Sequence, residues 1–148
     1  MKKKLYSMFA MFGLFLILAA SSAQAQSSDV IKVNVPFDFQ VSGKTLPAGE
    51  YAVMRFSEKV ILIRSVDHKT SVVAQAPERI QAGANDVTER LVFHQYGGQY
   101  FLSQVWLRRD EDGRELGPSG DERRAAAGEK LAMGGKKLRK IEIAAHAR

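Results

Sequence analysis

The sequence contains no cysteine, no internal repeat and, beyond its N-terminus, no apolar run long enough to cross a membrane. Without thiols the chain has no disulfide bonds, zinc–thiolate sites, iron–sulfur clusters or thiol catalysis. No later segment resembles a membrane span, so we expect none once the N-terminal segment has been removed. The remaining chain must therefore be stabilised by apolar burial.

The N-terminus has the three parts of a secretion signal. A basic start at residues 2–4 is followed by an apolar run over residues 5–20, and then by the small residues Ala23 and Ala25. Signal peptidase accepts small side chains at these two positions, so we predict cleavage after Ala25 and a mature chain of residues 26–148. The alternative is an uncleaved anchor, but the run is shorter than the roughly 20 residues a bilayer requires. We expect a periplasmic or secreted protein.

The formal net charge of +6 is unevenly distributed. Residues 26–107 are neutral overall, whereas residues 108–148 carry an excess of basic side chains. Within that region lies one basic cluster, made of Lys136, Lys137, Arg139 and Lys140. It is a candidate contact for anionic lipid, polysaccharide or another envelope polymer. The favoured alternative is helix-end charge together with lysines that protect an edge strand from aggregation.

Alternating and β-branched segments predict strands over most of residues 26–107. Strict alternation over Ile31–Val41 predicts an edge strand that Pro36 divides in two. Val60–Ser65 and Thr70–Ala76 form one predicted hairpin, which pairs Ile63 with Val72. Residues 77–86 are predicted to be a longer loop.

The clearest predicted hairpin joins Thr88–Tyr96 to Gln99–Leu107 through the turn Gly97-Gly98. Such a turn pairs Phe93 with Leu102. Both faces of the hairpin are then substantially apolar, so we expect it to be covered on both sides. The residues assigned to one face are Leu91, Phe93, Tyr100, Leu102 and Trp106, and those assigned to the other are Val92, Tyr96, Phe101 and Val105.

The C-terminal region predicts a short helix and a last strand. Ser119-x-x-Glu122 is a capping-box pattern, and the helix should run to about Met133. Leu138–Ala145 is the predicted strand. The complete prediction is an all-β, mostly antiparallel domain: a small barrel or sandwich of six or seven strands in meander order, with one short C-terminal helix. Residues 26–107 form its core, and residues 108–148 belong to the same domain.

Two stretches carry a resemblance to a known family. VNVPFDFQVSGKTLPAGEY (Val33–Tyr51) and YFLSQVW (Tyr100–Trp106) resemble a family of small exported soil-bacterial proteins, which share a PFDF…K-x-LPAGEY opening and an FLS-type strand ending in tryptophan. The resemblance implies export, and it implies no activity. LPAGEY also resembles a turn found in prealbumin-like and carbohydrate-binding β-sandwiches.

Candidate catalytic and ligand-binding residues are few. The three histidines, His68, His94 and His146, lack the spacing of a metal pair, and a site built from His68, His94 and Asp38 would need the fold to assemble it. Ser103 lies in a predicted strand opposite Val92, without a nucleophile elbow. Tyr96, Tyr100 and Trp106 are candidates for a sugar-stacking platform, although strand aromatics are more often core residues. We therefore predict no catalytic residues, no metal and no cofactor.

These observations favour an exported, non-enzymatic β-domain that binds an envelope component, an extracellular ligand or a partner protein. The first alternative is a structural or assembly role in which the Ile31–Val41 edge strand pairs with another chain. The second is a small hydrolase, which would need a convergent polar pocket. Nucleic-acid binding is not expected, because the protein is exported and its aromatic residues lie apart from the basic cluster.

Overall fold

The computed structural model describes residues 30–83, 89–107, 112–133 and 138–145. These residues form eleven strands and one helix. In chain order they are β1 (Val30–Val35), β2 (Phe39–Val41), β3 (Lys44–Leu46), β4 (Gly49–Ser57), β5 (Val60–Ser65), β6 (Ser71–Gln75), β7 (Glu78–Gln81), β8 (Arg90–Tyr96), β9 (Gln99–Trp106), β10 (Asp112–Glu115), α1 (Gly120–Met133) and β11 (Arg139–Ala144).

The strands form two sheets. The four-stranded sheet has the order β1-β4-β5-β6, and the seven-stranded sheet has the order β11-β8-β9-β10-β7, with β2 and β3 attached through β9. The pairings are antiparallel except for the single contact between β2 and β9. Of the two architectures left open by the sequence, the structure shows the sandwich, because the terminal strands of each sheet do not pair to close a barrel.

The hydrophobic core lies between the inner faces of the two sheets. Phe39 links them, because its ring packs edge-on against Tyr51 of the four-stranded sheet at 5.2 Å and against Phe93 of the seven-stranded sheet at 5.4 Å. Alternate residues of most strands are buried on this side. The fully or nearly fully buried apolar residues include Ile31, Val33, Val35, Val41, Leu46, Val53, Ile61, Ile63, Val72, Ala74, Leu91, Leu102 and Val105.

Both predicted hairpins are confirmed. Ile63 pairs with Val72, and Phe93 pairs with Leu102 across the turn formed by Gly97 and Gly98. The two glycines have φ values of 53° and 82°, the combination that a two-residue turn matching the twist of its strands requires. The predicted break in the Ile31–Val41 strand is also present, since β1 ends at Val35 and β2 begins at Phe39.

A β-bulge corrects the predicted faces of the β8–β9 hairpin. The register shifts between Val92 and Phe93, so Val92 pairs with Gln104 and not with Ser103. Beyond the bulge each β9 residue is displaced by one position, which exchanges the faces. Val105 therefore points into the core, and Trp106 points outward opposite Arg90.

The strand count and order differ from the prediction. Residues 78–81, assigned to a loop, form β7, which pairs with β10. Its polar, mostly exposed residues do not alternate in the way that reveals a half-buried strand. Meander order holds for β4-β5-β6 and β8-β9-β10, whereas β1, β7 and β11 join their sheets out of sequence order.

The predicted helix and last strand of the C-terminal region are present, whereas Asp112–Glu115 form the strand β10, which was not predicted. The helix α1 begins after Ser119, whose Oγ accepts a hydrogen bond from the Glu122 backbone N–H at 3.1 Å. The last strand, β11, pairs with β8 along its whole length, so this region is part of the seven-stranded sheet. Among the described residues, no helix combines the length and the apolar character needed to cross a bilayer.

Candidate functional site

Asp38 and the LPAGEY segment form a structural turn. Asp38 Oδ1 accepts a hydrogen bond from the Ala48 backbone N–H at 2.8 Å. The Tyr51 hydroxyl donates to the Pro47 carbonyl at 2.6 Å. Burial raises the pKa of Tyr51, and the charges of Asp67 and Asp38 raise it further. The residues that carry the family resemblance therefore shape the entry into β4, and Asp38 is already engaged there.

His94 and Glu122 attach α1 to the outer face of the seven-stranded sheet. The Glu122 side chain is 8 % exposed, and its Oε1 lies 2.9 Å from His94 Nδ1. In a capping box this carboxylate would return to the backbone N–H of the capping residue. Here it reaches the sheet, so the Ser119-x-x-Glu122 pattern supplies both the helix start and the helix anchor.

The remainder of the contact between α1 and the sheet is made by small side chains and one carboxylate. The helix face that follows Glu122 consists of Ala125, Ala126 and Glu129, all half-buried. The pKa of Tyr96 on β8 is raised by burial, and the nearby carboxylates of Glu122 and Glu129 raise it further. These contacts attach the helix to the sheet. Among the described residues, no group of three or more His, Cys, Asp or Glu side chains could hold a metal ion.

Trp106 is enclosed on the same outer face. The Arg90 guanidinium lies 4.4 Å from the centre of its ring, and Arg90 Nε lies 3.6 Å from Glu142 of β11. Trp106 Nε1 donates to Gln104 at 3.3 Å. Gly113 of β10 packs directly against the indole. Trp106 as a whole is only 6 % exposed, so it is a packing residue of this face.

The three aromatic residues considered for a sugar-stacking platform do not share a surface. Tyr100 lies on the core side, where Phe37 stacks on it at 3.9 Å. Tyr96 and Trp106 lie on the other face, near opposite ends of the hairpin. A flat platform needs neighbouring exposed rings, and this arrangement provides none for these three residues.

The other candidate residues also have structural surroundings. His68 occupies a tight turn with φ of 60°, beside Asp67, which accepts hydrogen bonds from Ser65 Oγ and the Lys69 N–H. Those two bonds lower the pKa of Asp67. Ser103 is buried at the bulge, where its carbonyl accepts a bond from Leu116 N–H at 2.8 Å. His146 lies outside the described residues.

The predicted basic cluster is only partly described. Arg139 and Lys140 are exposed neighbours in β11, so their side chains point to opposite faces of the sheet. Arg139 pairs in register with Gln95, and Lys140 pairs with His94. These two side chains therefore do not form a common patch. Lys136 and Lys137 lie outside the described residues, as do Ala23 and Ala25 of the predicted cleavage site.

The outer face of the four-stranded sheet has a different character. One cross-strand row, here called the apolar row, runs through all four strands as Val30, Met54, Leu62 and Val73. Val73, at the end of this row, is 61 % exposed. Phe56, at the bulge in β4, is 74 % exposed. No helix in the described part of the chain packs on this face as α1 packs on the other sheet.

The apolar row ends on an open strand edge. Ser65 N–H donates to Thr70 O, and Ala76 N–H donates to Lys59 O, so these two opposed pairs of the β5–β6 ladder are hydrogen-bonded. Hydrogen-bonded and non-hydrogen-bonded pairs alternate along an antiparallel ladder. Ser71, Val73 and Gln75 therefore lie in non-hydrogen-bonded pairs and direct their N–H and C=O groups away from β5. Within the described residues no strand pairs with that side of β6.

This edge is not the one that the sequence predicts. The alternation of Ile31–Val41 predicts an edge strand there, and β1 is indeed a terminal strand. However, β11 lies close beside β1 in the structure, whereas β6 has no such neighbour among the described elements. The sequence feature that could have indicated the β6 edge is the lack of charged residues in Ser71–Gln75.

Comparison with protein families, with curated proteins and with solved structures finds no match to this chain. The family resemblance therefore stays a prediction, and the function must be argued from the geometry.

Proposed function

We propose that the chain is an exported, non-enzymatic binding domain, and that it contacts an extended protein segment through the open edge of its four-stranded sheet. One observation carries the proposal. The strand β6 directs the amide and carbonyl groups of Ser71, Val73 and Gln75 outward, where the apolar row reaches the same edge.

The chemistry of this edge favours a peptide strand as the ligand. An extended peptide can satisfy alternating N–H and C=O groups in register and so extend the sheet by one strand. Its side chains on the outer face would lie beside Val73 and lengthen the apolar row. The alternative ligand, an anionic envelope polymer, is less favoured because Arg139 and Lys140 point to opposite faces of β11.

The non-enzymatic part of the proposal rests on the surroundings of the candidate catalytic side chains. Asp38 caps the turn at Ala48, His94 is bound to Glu122, and Ser103 is buried at a bulge. Each of these groups makes a contact that supports the fold.

Photo-crosslinking in an exporting bacterial host tests the proposal. A photoreactive amino acid replaces Val73 in one strain and Leu131 in another. Leu131 is a suitable control because it is 89 % exposed on α1, away from the four-stranded sheet. We expect covalent protein adducts from position 73 and few from position 131. Equal yields from both positions, or no adducts from position 73, would contradict the proposal.

A further inference from the structure

We infer that the segment bound at the β6 edge is β6 of a second copy of this chain. This inference rests on the proposed function, because it names the partner of the same edge. It predicts a symmetric dimer in which two four-stranded sheets join into one continuous sheet.

The geometry permits a two-fold pairing centred on Val73. Antiparallel self-pairing places Val73 opposite its own copy, and it places Ser71 opposite the second copy's Gln75. The outward groups of these three residues would form about six hydrogen bonds between the chains. The apolar rows of the two copies would then meet at Val73 and continue across the junction.

Charge distinguishes β6 from the other sheet edges. Natural edge strands are commonly protected from pairing by charged residues, particularly lysine. The other terminal strands in the described sheets all carry at least one charged residue, namely Lys32 in β1, Lys44 in β3, Glu78 and Arg79 in β7, and Arg139, Lys140 and Glu142 in β11.

The strand β6 reads Ser-Val-Val-Ala-Gln, with neither a charge nor a proline. Self-pairing therefore places no like charges opposite each other, and it places polar Ser71 beside polar Gln75. The edge that lacks the usual protection is thus also chemically complementary to itself, which favours a second copy over a charged or unrelated strand.

The test begins with sedimentation of the chain recovered from an exporting host, over a range of concentrations. We expect the apparent mass to rise from one chain toward two. Val73→Pro removes one outward N–H and keeps the bonds to β5, because proline is tolerated at an edge when its nitrogen faces away from the sheet. We expect this variant to stay monomeric. Val73→Thr keeps both the N–H and the β-branched shape, so it should still dimerise.

A second measurement does not depend on how well the proline variant folds. The chain has no cysteine, so Val73→Cys introduces a single thiol. Opposed residues of a hydrogen-bonded pair have Cα atoms about 5.5 Å apart, a separation that a disulfide spans. Under mild oxidation we expect Val73→Cys to form a covalent dimer at least about tenfold faster than the exposed control Leu131→Cys.

The outcomes separate the two proposals. A monomer at every concentration, with Val73→Cys no faster than Leu131→Cys, would overturn self-pairing. If position 73 still crosslinks to a different protein in cells, the proposed binding role stands and only the identity of the partner is wrong. If position 73 gives no adducts in cells, the proposed function itself fails.

Discussion

Replacing Gly113 with alanine should destabilise the protein strongly, although neither residue is charged or catalytic. A Cβ atom at this position would lie 2.6, 2.7 and 2.8 Å from three atoms of the Trp106 indole. Ordinary contacts begin near 3.4 Å, so the ring or the β10 backbone must move by about 0.8 Å. Such overpacking typically costs about 1 to 3 kcal/mol.

The surroundings of Trp106 oppose this movement. The ring is held by the Arg90 guanidinium at 4.4 Å and by the hydrogen bond to Gln104. A displaced ring weakens both contacts. The cation–π contact with Arg90 is worth about 0.5 to 1 kcal/mol, and the hydrogen bond to Gln104 is worth about 1 kcal/mol. We therefore expect Gly113→Ala to lower the free energy of unfolding by about 2 to 4 kcal/mol.

Urea unfolding followed by circular dichroism and by the fluorescence of the single tryptophan measures this change. Gly128→Ala is the matched control: nothing lies within 4 Å of its added Cβ, so a helical alanine should stabilise α1 by about 0.5 to 1 kcal/mol. In a Trp106→Leu background, where circular dichroism alone follows unfolding because the single tryptophan is gone, the Gly113→Ala penalty should fall below about 1 kcal/mol, since the clashing ring is absent. An unchanged midpoint for Gly113→Ala, or an equal penalty in both backgrounds, would refute the reasoning.

Three further predictions concern other parts of the molecule. Tyr51→Phe removes the bond to the Pro47 carbonyl and should cost about 1 kcal/mol at neutral pH. Because the pKa of Tyr51 is raised in the folded state, wild-type stability should fall as the pH rises above about 10, where unfolded tyrosine ionises; a slope unchanged in Tyr51→Phe would contradict this. Glu122→Ala should cost about 1.5 to 3 kcal/mol and speed hydrogen exchange throughout α1, and unchanged exchange would remove its anchoring role. Ala25→Leu should leave an uncleaved precursor in the exporting host, whereas normal processing, measured by intact mass, would exclude cleavage after Ala25.

The sequence predicted those parts of the fold that depend on local patterns. Two-residue turns and alternating strands fix the register of the two hairpins, so the pairing of Ile63 with Val72 and of Phe93 with Leu102 could be worked out in advance. Capping chemistry likewise located the start of α1 at Ser119. These features involve residues close together in the chain.

The errors arose where a distant contact decides the outcome. The bulge places Trp106 on the outer face, against Arg90 and Gly113. The alternation of β9 alone does not predict this bulge, because an extra residue in a strand does not change the residue types that the strand contains. The strand β7 exists because β10 pairs with it, and its polar sequence gives no sign of that partner. The carboxylate of Glu122 was assigned to the helix cap because its real partner, His94, lies 28 positions away.

The two outer faces of the sandwich differ in a way that supports placing the proposed binding role on the four-stranded sheet. On the seven-stranded sheet, α1 packs against β8 through the contact of Glu122 with His94, and Trp106 is buried beneath the Arg90 guanidinium. The four-stranded sheet instead leaves Val73 exposed on an uncharged edge strand, and within the described residues no strand pairs with the outward backbone groups of that strand. Natural sheets usually avoid this combination because it promotes association. Charge lies on every other described edge strand and is missing from β6, and this distribution supports the proposed association at β6.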